Sequence, residues 1–210
     1  MIGIIDYGMG NLRSVQKAFE FVQAKACILT DPKKIHDVSH LVLPGVGAFS
    51  DGMTHLRERG WVAPISDFVK TGKPMLGICL GMQLILDSSQ EDAPAIDNPT
   101  PGLGLVQGQA KLFTGQAYGV GKLKVPHMGW NSIAIQKSVK LFEGIDDQAQ
   151  FYFVHGYYCE PADSSIAIGI TDYGKPFCSS LQMDNIWATQ FHPEKSQRVG
   201  LKMLENFAAC

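Results

Sequence analysis

The sequence predicts an α/β fold: a central, mostly parallel but mixed sheet with helices on both faces, and antiparallel strands added in the second half. Three observations predict it. In the first half, short apolar runs alternate with segments whose apolar residues recur every three or four positions. Midway, the apolar run Met75 to Ile78 leads into Gly77-Ile78-Cys79-Leu80-Gly81, the pattern of a sharp strand-to-helix turn. After residue 103 the chain breaks into short strand-like runs, two of them joined by the hairpin turn Asp172-Tyr173-Gly174-Lys175.

Composition narrows the function classes. The 210 residues are 45% hydrophobic and 18% charged, with a formal net charge of −2, which suits one compact domain over 1–210. That charge balance leaves no basic footprint for nucleic acid. The start, Met1-Ile2-Gly3-Ile4-Ile5-Asp6, does not read as a secretion signal, and no apolar stretch is long enough for a membrane helix. Five scattered cysteines without a Cys-x-x-Cys pair fit neither a disulfide framework nor a zinc site, so a reducing cytoplasm, no metal and no cofactor are expected.

In order, Ile2 to Ile5 reads as a buried strand, followed by a turn with Asn11 as helix cap. Leu12, Val15, Phe19 and Val22 then mark a helix face. Gly8-x-Gly10 does not make a dinucleotide loop, because Arg13 stands at the third glycine position. Lys25 to Leu29 and His40 to Leu43 are the next strands. A helix over Gly52 to Glu58, capped by Ser50 or Asp51, and another over Trp61 to Lys70 precede the strand at Met75. The helix after Cys79 is expected to reach Leu86, and Ser88 to Pro101 reads as an exposed proline-rich loop. Strand-like runs follow at Leu103 to Phe113, Lys122 to Pro126, Asn131 to Gln136, Phe151 to His155, Ile166 to Thr171, Phe177 to Gln182 and Ile186 to Phe191. An amphipathic helix, Ser196 to Cys210, closes the chain.

Cys79 is the candidate nucleophile. A lone cysteine between apolar runs is ordinarily a small buried hydrophobe. Glycines two residues to either side change that reading, because they remove the side chains that would collide at a bend too tight for an ordinary residue. The bend places the thiol at a helix start, where partial positive charge favours thiolate. The candidate base lies far along the chain, in Phe191-His192-Pro193-Glu194-Lys195. Residues two apart in an extended segment point the same way, so Glu194 is placed to orient the His192 ring. The bland alternative is a surface histidine before a helix. Of the other histidines, His36, His40 and His55 read as surface residues, whereas His127 and His155 sit at strand ends near the expected cleft. Acyl chemistry also requires donors for a developing oxyanion. The amide of Leu80 and the loop Gly45-Val46-Gly47 are candidate sources, although taken by itself that loop reads first as a plain tight turn.

Together Gly77-Ile78-Cys79-Leu80-Gly81-Met82-Gln83 and His192-Pro193-Glu194 resemble the two signatures of class I (triad) glutamine amidotransferases. Four further stretches, Ile5 to Leu12, Pro44 to Phe49, Val125 to Asn131 and Tyr152 to Tyr158, resemble the branch whose members are glutaminase subunits of imidazole glycerol phosphate synthases in histidine biosynthesis. The resemblance implies a class I glutamine amidotransferase-like fold and a Cys79–His192–Glu194 triad acting through a glutamyl thioester. It implies glutamine contacts at Gln83, Gly47, Gly156 and Tyr157. It implies, too, a separate (βα)8-barrel cyclase subunit that receives the ammonia and makes imidazole glycerol phosphate and aminoimidazole carboxamide ribotide. Asn11, Trp130, Tyr152 and Lys195 are then expected to face that partner or its channel mouth. Gly156 departs from the serine or threonine common in relatives, and the Ser88 to Pro101 loop is longer than the family pattern. Rival readings are a glutaminase serving another synthase (of pyridoxal phosphate or a purine), a cysteine hydrolase or chaperone-like protein of related fold, and a catalytically dead regulatory subunit.

Overall fold

Apolar runs without polar alternation belong to strands covered on both faces, and four such runs form the centre of the molecule. The computed structural model describes residues 1–93 and 98–210. Its strands and helices run β1 (Ile2–Ile5), α1 (Leu12–Phe21), β2 (Ala26–Leu29), β3 (His40–Gly45), α2 (Phe49–Glu58), α3 (Val62–Lys70), β4 (Met75–Cys79), α4 (Leu80–Leu84) and β5 (Leu86–Ser89). They continue through β6 (Thr100–Pro101), β7 (Val106–Leu112), β8 (His127–Ser132), β9 (Ala134–Ile135), β10 (Gln150–His155), β11 (Tyr157–Pro161), β12 (Ala167–Asp172), β13 (Pro176–Met183), β14 (Ile186–Thr189) and α5 (Gln197–Ala208).

One sheet follows the order β2-β1-β3-β4-β14-β13-β11-β7-β5-β6, with β12 beside β13 and β9 beside β12. The pairs β2–β1, β1–β3, β3–β4 and β4–β14 are parallel; β14–β13, β13–β11 and β11–β7 are antiparallel. Strands β8 and β10 form a separate antiparallel ribbon. Alternation divides the core. Ile4, Val42, Leu76 and Ile78 pack with Phe19 of α1 and Met203 and Phe207 of α5. Ile5, Leu41, Leu43 and Met75 pack with Phe49 of α2, Trp61, and Phe68 of α3. Both faces of the parallel region are therefore filled.

Several expectations shift. Asn11 precedes α1 but makes no side-chain cap bond. Helix α2 begins at Phe49, ahead of both expected caps, and its first free amide is satisfied from a distance: Phe49 N–H donates to Glu91 Oε2 at 2.8 Å. The helix after Cys79 stops at Leu84, so it is barely a turn and a half and its dipole is correspondingly short. The chain re-enters the sheet at Leu86. Ser88 and Ser89 pair with β7 and β6, and Ser89 is fully buried, so the segment read as an exposed loop begins and ends in strand; residues 94–97 lie outside the described residues. Lys122 to Pro126 forms no strand. Pro126 has no N–H for a ladder, and Gly119 and Gly121 before it turn the chain with positive φ.

The bend at Cys79 rests on close packing. A Cβ on Gly81 would overlap the carbonyl oxygen of Leu43 in β3, and one on Gly77 would stand 3.0 Å from the Gly81 carbonyl. Gly81→Ala is expected to destabilise the protein by at least about 2 kcal/mol in urea unfolding. Gly72→Ala, where nothing lies within 4 Å, is expected to lose only about 1 kcal/mol from its positive φ. Equal losses would contradict the packing described for the bend.

Candidate active site

Cys79 ends β4 with φ 53° and ψ −105°, a conformation that ordinary side chains avoid. Such a residue persists only where its surroundings over-determine it, and here β3, β14 and α4 enclose it. The sulfur lies 3.8 Å from the Val154 carbonyl oxygen and 3.8 Å from Gln190 Nε2.

His192 follows β14, the parallel neighbour of β4, so register alone carries it to the same sheet end as Cys79. Its backbone is pinned on both sides. His192 N–H donates to Tyr152 O at 2.9 Å, and Ser196 Oγ donates to His192 O at 2.6 Å. Nδ1 meets Glu194 Oε1 at 2.8 Å, and both side chains are 2% exposed. A carboxylate accepts, so the Nδ1–H tautomer is fixed and Nε2 is left as the nitrogen free to take up or give a proton. Nε2 has no conventional hydrogen-bond partner among the described residues. Burial alone lowers the ring's pKa, but the nearby Cys79 sulfur and the Glu194 carboxylate outweigh it and hold the imidazolium well above the ordinary histidine range.

A pocket of about 170 Å³ opens beside the sulfur, lined by Val46, Gly47, Cys79, Leu80, Gln83, Glu91, Val154, His155, Gly156 and Tyr157. The expected residues Val46, Gly47, Leu80, Gln83, Gly156 and Tyr157 thus meet in one place. Gly45 stands behind the lining: it pairs with Cys79 across β3–β4, and a Cβ there would strike the Tyr7 hydroxyl. Gly156 has open space beside it, its nearest neighbour being Val125 at 3.7 Å, so nothing in the packing demands the missing hydroxyl. Larger surface hollows elsewhere, such as the one along Ile135–Asp147, hold none of these groups.

Glu91, Val154 and Gln190 were not among the sequence candidates. Glu91 lies in the segment read as loop, and its proximity depends on strand pairing forty residues away from its partner helix. Gln190 carried a faint signal, a polar residue closing the apolar run of β14 just before His192. His155, a weaker candidate in the sequence, lines the pocket, while His127 stands behind it at 3.0 Å, Nδ1 to Nε2. Burial pushes both rings down, to about 3 for His155 and about 4 for His127. Trp130 and Tyr152 meet on the β8–β10 ribbon with ring centroids 6.1 Å apart, and Lys195 Nζ lies 6.0 Å from the Tyr152 ring. Trp130 and Met128 are exposed there. Asn11 is exposed at the start of α1, a helix that packs beside the turn carrying Lys195.

Comparison with known proteins agrees with this geometry. The chain is 50% identical over 208 residues to an imidazole glycerol phosphate synthase subunit HisH of Syntrophotalea carbinolica, covering 99% of this chain and 98% of the relative. It is 49% identical over 207 residues to the subunit of the same name from Geobacter sulfurreducens, covering 98% and 97%. Among solved structures, a chain of PurLQS from Thermotoga maritima superposes with a TM-score of 0.74 at 17% identity, covering 98% and 96%. A glutamine amidotransferase crystal structure gives 0.73 at 15% identity, covering 100% and 99%. These two bear on the fold alone. The family described as "Glutamine amidotransferase class-I" matches residues 4–209. On that match, and on its near-complete alignment with the two HisH subunits, the chain belongs to the class-I glutamine amidotransferases.

Proposed function

We propose that this chain is the glutaminase subunit of an imidazole glycerol phosphate synthase, hydrolysing glutamine through a thioester on Cys79 and handing the ammonia to a (βα)8-barrel cyclase. The observation that carries the chemistry is a strained cysteine and a buried, carboxylate-oriented histidine that stand at the ends of neighbouring parallel strands, at the same edge of the sheet. The relatives' name carries the pathway.

The Cys79 sulfur attacks the side-chain carboxamide carbon of glutamine, and the carbonyl electron pair moves to oxygen. Amides of Leu80 and of the Val46-Gly47 loop stand at the pocket to hold that oxyanion. The proton from the thiol lodges on His192 Nε2, where Glu194 stabilises it. As the tetrahedral centre collapses, the C–N bond breaks, the ring returns the proton to nitrogen, and ammonia departs. Water then adds to the thioester, the ring accepts its proton, and glutamate and free sulfur result. Glu91, held by the Phe49 amide, gives the pocket a carboxylate suited to the α-ammonium of glutamine. The exposed Met128 and Trp130, with Tyr152, Lys195 and Asn11, form the face offered to the partner, which suits an apolar contact area. All five cysteines are free thiols, in keeping with a cytoplasmic enzyme.

Cys79→Ala, assayed with the cyclase subunit, is expected to lower glutamine-dependent synthesis by about 10³-fold or more while synthesis from added ammonium salt persists. Loss of both would make Cys79 structural, and loss of neither would remove it from the chemistry.

The raised His192 pKa also fixes a sign. The ring keeps its proton as pH rises past the ordinary histidine value and loses it only in the alkaline range, taking with it the acid that protonates the leaving nitrogen. Glu194→Gln removes one of the two supports, so the alkaline limb of kcat/KM is expected to move to lower pH, with a loss of about 10²-fold at the optimum. A limb that stays in place would detach Glu194 from the ring's titration.

A further inference from the structure

Gln190 is fully buried and joins three side chains, those of Cys79, Gln83 and Cys159. Its Nε2 lies 3.8 Å from the Cys79 sulfur. Its Oε1 accepts from Gln83 Nε2 at 3.3 Å and from Cys159 Sγ at 3.7 Å. Gln83 Nε2 also donates to the Tyr157 carbonyl at 3.2 Å, and His155 Nδ1 lies 2.7 Å from that same oxygen.

The direction of every one of these bonds follows from one atom. A backbone carbonyl only accepts. Tyr157 O therefore requires the amide nitrogen of Gln83 on its side. With Gln83 so oriented, its nitrogen faces Gln190 and demands the oxygen of that carboxamide. Gln190 must then turn its NH2 toward Cys79. The reversed amide would set two NH2 groups of buried side chains against each other. The other half of the network repeats the logic. His155 donates its Nδ1–H to Tyr157 O, so its Nε2 accepts from His127 Nδ1–H, and His127 Nε2 accepts from Asn131 Nδ2, 3.3 Å away. Two independent chains hang from Tyr157 O, and both are satisfied only in this orientation.

Resting on the thioester reading above, we propose that Gln190 is a further catalytic residue, whose N–H donates to the Cys79 sulfur and whose oxygen latches Gln83 so that Gln83 turns its own oxygen to the substrate. A neutral donor on sulfur favours thiolate over thiol before attack and favours sulfur as leaving group when the thioester opens. It does so without adding a second cation beside His192. The Gln83 latch has a separate consequence. Gln83 lines the pocket, and both hydrogens of its nitrogen are spent on Tyr157 and Gln190. The side chain meets glutamine as an acceptor only, which selects an N–H group of the substrate and disfavours its carboxylate.

Two variants separate the roles. In Gln190→Met both are removed. In Gln190→Glu the oxygen that latches Gln83 is kept and the donor to sulfur is lost. Each is measured in complex with the cyclase subunit, by steady-state glutamine hydrolysis and by the pH dependence of Cys79 alkylation with iodoacetamide, read on the Cys79 peptide by mass spectrometry. The alkylation midpoint is expected to rise by about one pH unit or more in both variants. kcat is expected to fall at least tenfold in both, with KM for glutamine raised in Gln190→Met and within threefold of wild type in Gln190→Glu. Because a carboxylate at this position would itself repel the thiolate, the neutral Gln190→Met decides: a merely structural role would not move its Cys79 midpoint, and a folded Gln190→Met with unchanged midpoint and kcat would overturn the proposal. If neither variant folds, the Gln190 side-chain amide resonances of the 15N-labelled full chain decide: they follow Cys79 ionisation if the bond exists and ignore it if it does not. Cys79→Ala with undiminished glutaminase activity would strike the thioester reading itself and take this proposal with it.

Discussion

A cysteine backbone held at φ 53° is the constraint on which the rest of the structure depends. Left-handed geometry in a non-glycine residue costs on the order of 1–3 kcal/mol, and nothing local recovers it. The recovery comes from the sheet. Strand β4 lies between β3 and β14 and is buried on both faces, so Met75 to Ile78 cannot relax without opening two cores at once. Gly81 packs against the β3 backbone so closely that α4 must leave at one angle. The thiol is thereby fixed at the edge of the sheet where β14, the parallel neighbour of β4, also ends and is followed by His192. Parallel pairing explains why residues more than a hundred positions apart meet: neighbouring parallel strands end at the same edge, and their following loops share it.

Burial then separates two neighbouring histidines into opposite roles. His155 and His192 are both buried, and burial lowers both. His192 gains a carboxylate and a sulfur, which reverse the effect. His155 gains only a carbonyl and a second neutral ring, and His127 and His192 lower it further. One ring carries a proton through neutral pH, and the other two do not. A positive charge on His155 would face the imidazolium of His192 and break the donor chain to Asn131, so the neutral pair is a condition for the charged one. The Tyr157 carbonyl links this electrostatic division to geometry, since the same oxygen orients His155 and, through Gln83, the Gln190 amide beside Cys79.

Much of this was legible in the sequence because it is written in short-range chemistry. Glycines flanking Cys79, a carboxylate two residues from His192 and alternating apolar runs each report a local geometry; the structure gathers Cys79, Gln83, Gly47 and Tyr157 around one pocket and places His192 after β14, at the same end of the sheet. The misplaced elements have physical reasons. Asn11 has a capping residue's chemistry, but its side chain makes no bond at the start of α1. Helix α2 starts without a local cap because Glu91 reaches it from across the fold, a contact invisible to any window of sequence. The apolar run Leu80–Leu86 looks helical throughout, yet its last residue belongs to a strand, because pairing with β7 overrides local preference. Gly45 reads as a pocket glycine like Gly47, but its missing side chain makes room for Tyr7.

The most direct measurement is to catch the covalent intermediate. The complex with the partner subunit is turned over on glutamine, quenched in acid, and mapped by peptide mass spectrometry. A glutamyl group on the Cys79 peptide, and none on the peptides bearing Cys27, Cys159, Cys178 or Cys210, is the expected result. Steady release of glutamate with the Cys79 peptide unmodified, or acylation of another cysteine in its place, would contradict it.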